Sequence, residues 1–272
     1  MLADVARRRP WLYDTLYRGS ILLRSAPFLI SRRDPSQYGE GKLLARFLPR
    51  GGYFLDIGCH EPIRCNNTWL LRRRGWRGWS VDASDFHRPL WRILRRRDRF
   101  LHAAAVSVRG VDRVGLYQFS PPESMFNTIS ADRVGDLDTL RPELRATVKI
   151  VPAVHITALL AEFATAWGRY PDILMTDVEG LDWSLIQAAG PAELRKAGVT
   201  FLLMEDWSGG AGTNAGSSAD RSAPDVAEMA RAGWSLLGRT KLSVLFSSQG
   251  QTGASGSVGG AERRGRDVGP LG

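Results

Sequence analysis

The chain has 272 residues, a length that suits one α/β domain with a single large core and short additions. Apolar residues make up 43% of it and charged residues 24%, which favours a soluble globular fold, and no apolar run approaches the roughly 18 residues of a membrane span. The formal net charge of +9, carried mostly by arginine, indicates an anionic partner or surface. Only two cysteines are present, Cys59 and Cys65, and this argues against a disulfide-stabilised scaffold and for a reducing, cytoplasmic location.

Residues 1–35 form the first predicted unit, a basic helical extension. Aromatic and aliphatic side chains recur near the helical period between Trp11 and Leu23, with arginines among them. Two interpretations remain open. The segment packs on the domain or on a second subunit in a homodimer, or it rests as an amphipathic helix on an anionic membrane face.

The second predicted unit, residues 36–247, begins with a helix in KLLARFL that precedes the first strand. Ser36 is a candidate N-cap, and Glu40 would lie in the first turns, where a carboxylate is favoured. The third unit, residues 248–272, is rich in glycine and serine and poor in apolar residues, so we expect a disordered tail.

The strongest pattern lies between Phe54 and Ala83, in FLDIGCHEPIRCNNTWLLRRRGWRGWSVDA. A buried strand is followed by a glycine loop, a helix that starts near Asn66 and Asn67, and a second strand that ends in an acid, which is the βαβ order of a nucleotide-type site. Gly58 would let a ligand approach the backbone, and Asp82 would accept hydrogen bonds from both ribose hydroxyls. The alternative role of Asp82 is that of a strand-end cap.

The glycine loop lacks the fingerprints of two common nucleotide sites. Neither G-x-G-x-x-G nor a P-loop glycine-lysine pair follows the first strand. A cofactor without a pyrophosphate, but with a ribose and a charged amino-acid tail, therefore fits best. Cys59, His60 and Cys65 are spaced too irregularly to predict a metal site.

The next segments supply the walls of this site. RFLHAAAVS, from Arg99 to Ser107, is predicted as the third strand and its loop, where small residues such as Ala104 would admit an adenine ring. VGLYQF predicts an extra strand over 114–119. Residues 120–141 show no clear period and are predicted to form a long loop or short helix that covers the substrate.

Two further buried strands end in acids. ITALLAEFATAW predicts a helix, PDILMTDVEG a strand that ends in Asp177 and Glu179, and FLLMED a strand that ends in Glu205. In a parallel sheet Asp177 would reach the same edge as Asp56 and Asp82. A mobile loop over 208–222, a helix and two antiparallel closing strands around residues 239–241 complete the prediction.

These motifs resemble the FkbM-type family of S-adenosylmethionine-dependent methyltransferases. Its D-I-G-A-H motif stands here as Asp56–His60, its Asn-Thr pair as Asn67-Thr68, its GWRG turn as Gly75–Gly78, its second-strand acid as Asp82, and its D-V-E-G motif as Asp177–Gly180; SQYGE at 36–40 matches its leading segment. The resemblance implies a Rossmann-like class I methyltransferase fold, with a mostly parallel seven-stranded sheet, an antiparallel last strand and helices on both faces. Pro62, in the loop CHEP, departs from a plain glycine loop because it removes one N–H donor.

The resemblance also implies a site and a reaction. S-adenosyl-L-methionine is the expected cofactor, a hydroxyl of a sugar, glycan or secondary metabolite the expected methyl acceptor, and His60 or Asp177 the expected base. The residues implied to bind the cofactor are Gln37, Glu40, Asp56, Gly58, His60, Asn67, Asp82, Ala104 and Asp177, and Glu179 and Glu205 would face the acceptor.

Two other functions remain as alternatives. A dense arginine run between Arg72 and Arg99 would suit a nucleic-acid-binding protein or RNA methyltransferase, although such a run is usually a solvated outer face. Trp76, Trp79 and Trp91 are predicted as core or turn anchors and not as platforms for bases, so a nucleic-acid partner is not expected. The last alternative is a domain that binds a glycan or a membrane without turnover.

Overall fold

The computed structural model describes residues 9–121, 123–206 and 224–249. Ten strands are present in these residues. They are β1 Tyr53–Ile57, β2 Arg77–Asp82, β3 Arg99–His102, β4 Ala104–Val106, β5 Arg113–Gln118, β6 Thr147–His155, β7 Ile173–Thr176, β8 Phe201–Glu205, β9 Ser235–Arg239 and β10 Ser243–Ser247.

Helices alternate with these strands along the described part of the chain. They are α1 Pro10–Ile30, α2 Glu40–Phe47, α3 Trp69–Arg73, α4 Arg88–Leu94, α5 Ala131–Leu140, α6 Ile156–Trp167, α7 Asp182–Ala189, α8 Pro191–Lys196 and α9 Val226–Arg231. A 3₁₀ turn spans Glu123–Phe126.

The main sheet, among the described residues, has seven strands in the order β3-β2-β1-β7-β8-β10-β9. β10 runs antiparallel to both of its neighbours, and the other neighbouring pairs are parallel. The order reverses between β1 and β7, so both strands end at the crevice where open parallel sheets bind ligands. This is the strand order of the Rossmann-like class I methyltransferase fold, and the predicted fold class is confirmed.

The main sheet is covered on both faces because its central strands are apolar at successive positions. In β1, Leu55 and Ile57 face the cluster built with α6, α7 and α9, whereas Phe54 faces the cluster built with α2 and α3. All five residues of β8 are buried. Strands buried on both sides are typical of parallel sheets between helix layers. Trp76, Trp79 and Trp91 are buried, as predicted.

The predicted third strand divides in two. β3 ends at His102, and β4 begins two residues later in a separate sheet of order β4-β6-β5. Between them, the N–H of Ala103 donates to the carbonyl of Asp82 at 3.0 Å, which leads the chain out of the main sheet. The predicted loop therefore contains a second strand, and β5 is the extra strand expected over 114–119.

Helix α1 packs on the domain with one face. Ile21 is fully buried, the Tyr13 hydroxyl donates to the carbonyl of Pro121 at 2.6 Å, and the Nε of Arg18 donates to the carbonyl of Phe86 at 3.1 Å. The predicted helix and its packing on the domain are thus present. Among the described residues, no helix is both long and apolar enough to cross a membrane.

Two predicted segments lie outside the described residues: the mobile loop over 208–222 and nearly all of the tail, residues 250–272. The boundaries of the three predicted units stay predictions.

Candidate active site

A cleft opens at the carboxyl ends of β1, β2 and β7. Its floor includes the ends of these strands, and one wall is made of β4 and Leu116. Residues 124–129 cover it, and they belong to the segment over 119–144, whose described residues we call the roof. The polar residues and small alanines that line the cleft are His60, Asp82, Ala83, Ala103, Ala104, Ala105, Ser124, Asn127, Thr128, Asp177 and Glu179.

Gly58 allows the ends of β1, β2 and β7 to lie in close contact in the floor. Its φ of +84° lies in the left-handed region, and its N–H donates to the carbonyl of Val81 at 2.8 Å. A Cβ at this position would lie 1.8 Å from the carbonyl oxygen of Asp177. The glycine is therefore required by the contact between the ends of β1 and β7, in addition to any approach of a ligand.

Asp82 organises the loop after β1. One of its carboxylate oxygens accepts from the N–H of His60 at 2.8 Å and the other from the N–H of Ser84 at 2.7 Å. Burial raises its pKa to about 6 although both N–H groups favour the charged form. Both predicted roles are compatible, because a carboxylate has about four acceptor positions and only two are used by these bonds.

His60 faces a second histidine that the sequence did not indicate. The Nε2 atoms of His60 and His87 are 3.2 Å apart, and the hydroxyl of Ser124 lies 3.3 Å from Nε2 of His60. Burial lowers the pKa of His60 to about 4, helped by the charge of Arg64, and burial also lowers the pKa of His87 well below its usual value. His60 is therefore a neutral imidazole near pH 7.

Three acids converge at the other end of the floor. Carboxylate oxygens of Asp177, Glu179 and Glu205 lie within 4.8 Å of one another. Burial, followed by the nearby carboxylates, raises the pKa of Asp177 well above its usual value, and burial raises the pKa of Glu179 to about 7. Such crowding favours a positively charged ligand, either a metal ion or an organic cation, because it would relieve the mutual repulsion of the carboxylates.

Glu179 is held in place by the roof. Its φ of +54° is unusual for a residue other than glycine, and its carboxylate accepts from Nε and a terminal nitrogen of Arg133 at 3.2 and 3.1 Å. Arg133 lies in α5, within the segment predicted to cover the substrate. The sequence did not single it out, because its partner lies 46 residues away along the chain.

Most arginines of the run between Arg72 and Arg99 are exposed, as predicted, and Arg95 is the buried exception. It is 1% exposed and pairs with Asp98, and its guanidinium also donates to the Pro62 carbonyl at 2.9 Å and to the Thr68 hydroxyl at 2.9 Å. It thus fastens the middle and the end of the loop between β1 and α3. The side chain of Asn66 accepts from the N–H of Thr68. One of the backbone N–H groups expected to be free at the start of α3 is therefore already bonded within the loop.

Several residues of the implied set do not line the cleft. Gln37 is exposed, and Glu40 is buried, where its carboxylate accepts from the hydroxyl of Thr240 at 2.7 Å and from the N–H of Tyr38 at 2.9 Å.

Asp56 lies below the floor and is 3% exposed. Burial raises its pKa to about 7, although the positive charge of Arg95 acts in the opposite direction. Asn67 and Glu205 also lie outside the lining, the latter at its acidic end. The cleft brings together Gly58, His60, Asp82, Ala104, Asp177 and Glu179.

Comparisons with known proteins give likenesses to solved structures. No protein-family model and no curated protein sequence matches the chain. A solved structure of a TehB-like SAM-dependent methyltransferase from Corynebacterium glutamicum is similar over 86% of this chain and 98% of its own, with 13% identity and a TM-score of 0.39. That likeness by itself assigns no activity. The chain's own strand order places it in the class I methyltransferase fold.

Proposed function

We propose that the protein is a methyltransferase that uses S-adenosyl-L-methionine and transfers the methyl group to a hydroxyl of a sugar, glycan or secondary metabolite. The observation that carries this proposal is the polarity of the cleft. Asp82 stands at the end of β2 and the acid cluster at the end of β7, with β1 between them. Two strand spacings separate these poles, about 10 Å.

That spacing suits a molecule with a ribose at one end and positive charge at the other. Asp82 would accept from the ribose hydroxyls, and Ala103, Ala104 and Ala105 offer a flat wall for an adenine ring. Asp177 would lie near the sulfonium and ammonium groups, where a carboxylate attracts a cation. A dinucleotide would instead need a cradle for its pyrophosphate, and the loop C-H-E-P lacks the glycines that build one.

The reaction would be an in-line displacement at the methyl carbon. The protein contributes position, exclusion of water and removal of the acceptor's proton. His60 suits the last task better than Asp177, because the imidazole is neutral near pH 7 whereas burial, together with the neighbouring carboxylates, raises the pKa of Asp177 and favours its protonated form. The Ser124 hydroxyl lies 3.3 Å from Nε2 of His60, and this contact supports the proposal that an acceptor hydroxyl can come within hydrogen-bonding distance of that nitrogen.

Calorimetric titration with S-adenosylhomocysteine tests the proposal. We expect micromolar binding by the wild type and a loss of about 10- to 100-fold in Asp82→Asn, since hydrogen bonds to a charged group contribute about 1.5 to 3 kcal/mol. Asp85→Asn is the matched control, because it makes the same change three positions away in a surface pair with Lys149. Equal thermal unfolding of the two variants would show that the loop is intact.

A folded wild type that does not bind S-adenosylhomocysteine would remove the proposal. If binding is confirmed, a screen of sugars and polyketide-like alcohols for methyl transfer identifies the acceptor. His60→Gln should then keep cofactor binding and lose turnover by about 100-fold or more, the usual range for a general base. Unchanged turnover in this variant would transfer the role of base to another residue.

A further inference from the structure

Helix α1 has a second face that nothing in the described part of the chain covers. Its packed face carries Tyr13, Tyr17, Ile21 and Ser25. With 100° per residue, the opposite face carries large apolar side chains along the whole helix, which is about 30 Å long. They are, with their exposed fractions, Trp11 65%, Leu16 52%, Leu22 37%, Leu23 78%, Leu29 46% and Ile30 87%.

The remaining positions of this face are small or uncharged: Thr15, Gly19 and Ala26. No charged side chain interrupts it between Trp11 and Ile30, so it forms one continuous apolar surface and not a set of scattered residues. A continuous exposed patch of this kind marks an interaction site.

Both ends of the face are basic. Arg9 precedes the helix and Arg32 and Arg33 follow it, and all three are exposed. Asp14, the one acid of the helix sequence, lies toward the packed side and is partly buried. A second copy of the chain, applied by a two-fold axis across the helix, would bring the arginine of one end against the two arginines of the other, which is unfavourable. An anionic lipid surface matches both the apolar face and its basic ends.

We propose that α1 lies on an anionic membrane, parallel to the bilayer plane, with this face among the headgroups and upper acyl chains. Such a helix lies on the membrane and does not span it. Trp11 suits the boundary between headgroups and hydrocarbon, and the arginines would contact lipid phosphates. The inference concerns a surface remote from the cleft floor and does not depend on the methyl transfer reaction.

Vesicle co-sedimentation of the full chain tests this docking. We expect binding to vesicles of phosphatidylcholine with phosphatidylglycerol, weaker binding to phosphatidylcholine alone, and a decrease with rising salt. Leu16→Gln with Leu23→Gln should weaken binding by about tenfold or more, because about 0.8 kcal/mol is lost per methylene no longer buried. Ile93→Gln with Ile150→Gln is the matched control, as these residues are 56% and 55% exposed and lie outside α1.

A second measurement locates the helix. Nitroxide-labelled lipid should quench tryptophan fluorescence in the wild type, and Trp11→Phe should remove most of that quenching. The proposal fails if vesicles do not bind, if the Leu16/Leu23 variant binds as well as wild type, or if light scattering shows a dimer in solution that this variant dissociates. In the last case a second copy covers the face. Because S-adenosylhomocysteine binding should be unchanged in this variant, failure here is distinguishable from failure of the proposed function.

Discussion

At the scale of single residues, Gly58 makes the sharpest prediction. Alanine there would meet the Asp177 carbonyl oxygen at 1.8 Å and would also adopt a positive φ. We expect Gly58→Ala to reduce the free energy of unfolding by about 3 kcal/mol or more, in denaturant titrations.

A substitution at Gly110 distinguishes the steric contact with Asp177 from the cost of a positive φ. Its φ is +74°, and a Cβ there has no neighbour within 4 Å. Gly110→Ala should therefore show only the cost of the backbone conformation, about 1 kcal/mol. Similar losses in the two variants would contradict the contact between β1 and β7.

The raised pKa values of the cleft acids predict proton release when a cation binds. In the free protein the pKa of Asp82 is about 6 and that of Glu179 is about 7. Both carboxyls therefore stay partly protonated at pH values where an ordinary carboxyl is already ionised. These carboxyls therefore favour the folded state at low pH, and that contribution is lost as pH rises through their folded pKa values. His60 acts in the opposite sense, because its lowered pKa adds stability as pH rises from about 4 to about 6.5. The pH dependence of the free energy of unfolding would therefore contain both the carboxyl and the histidine contributions.

Ligand titration isolates the carboxyls. S-adenosylmethionine would lower both pKa values, that of Glu179 through its positive charge and that of Asp82 through the ribose hydroxyls that donate to it, so binding at about pH 6.5 should release protons. The apparent binding enthalpy should then differ between buffers of different ionisation enthalpy, and by less in Asp82→Asn. Identical enthalpies in all buffers would show that the acids do not respond to the ligand.

The sequence predicted the acids and missed their partners, for a physical reason. Asp82 and Asp177 follow apolar runs, and strand direction alone brings such residues to one edge. Arg133 meets Glu179, and His87 meets His60, only through tertiary contacts between segments that are distant in the sequence. Arg95 is the reverse case. It stands in a run of arginines that is typical of a solvated face, and its bonds to Asp98, the carbonyl of Pro62 and the hydroxyl of Thr68 make its burial possible.

At the scale of elements, Arg95 anchors the loop between β1 and α3. Arg95→Met would leave Asp98 without this buried partner, and breaking a buried pair costs about 3 to 5 kcal/mol. We expect that loss in the free energy of unfolding. Affinity for S-adenosylhomocysteine should also fall, since the loop carries the backbone of His60. Arg96→Met, at the exposed neighbouring position, should change neither quantity. An Arg95 variant as stable as wild type would mean that the loop has other sufficient anchors.

The division of the predicted third strand into β3 and β4 could not be predicted from the periodicity of the sequence. Arg99 to Ser107 forms one extended run in the sequence, and β-propensity does not tell which neighbour each part will pair with. The division follows from pairing, because β3 continues the main sheet beside β2 whereas β4 pairs with β6. Ala103, at the bend, has its backbone N–H bound to Asp82 and so places the alanine wall beside the acid.

At the scale of the whole molecule, the roof and the main sheet have separate cores. The roof cluster contains Phe119, Leu137 and Leu144, apart from the two clusters of the main sheet. Its ion pair to the floor is Arg133 with Glu179. We expect Arg133→Met to speed hydrogen exchange in residues 123–144, by about 10- to 100-fold for a local loss of about 1.4 to 2.8 kcal/mol, while β1 exchange stays unchanged.

Arg141→Met is the control for this measurement. Arg141 follows the same helix and pairs with Glu143 at the surface, so its loss should leave exchange in the roof nearly unaltered. Faster exchange in β1 of the Arg133 variant would show instead that roof and sheet unfold together.

The architecture of the main sheet was predictable as a whole because alternating strands and helices with short connections leave few topologies open. The association of α5 with the floor was not, since no sequence period reports which surface an irregular segment will cover.

The separate core of the roof bears on how such a protein can diversify. Substitutions within Phe119, Leu137 and Leu144 reshape the cover of the cleft, while the floor that carries Asp82 and Gly58 is held by other contacts. In the proposed enzyme, preferences for new methyl acceptors can therefore arise through substitutions in the roof alone, while the floor residues proposed to bind the cofactor stay the same.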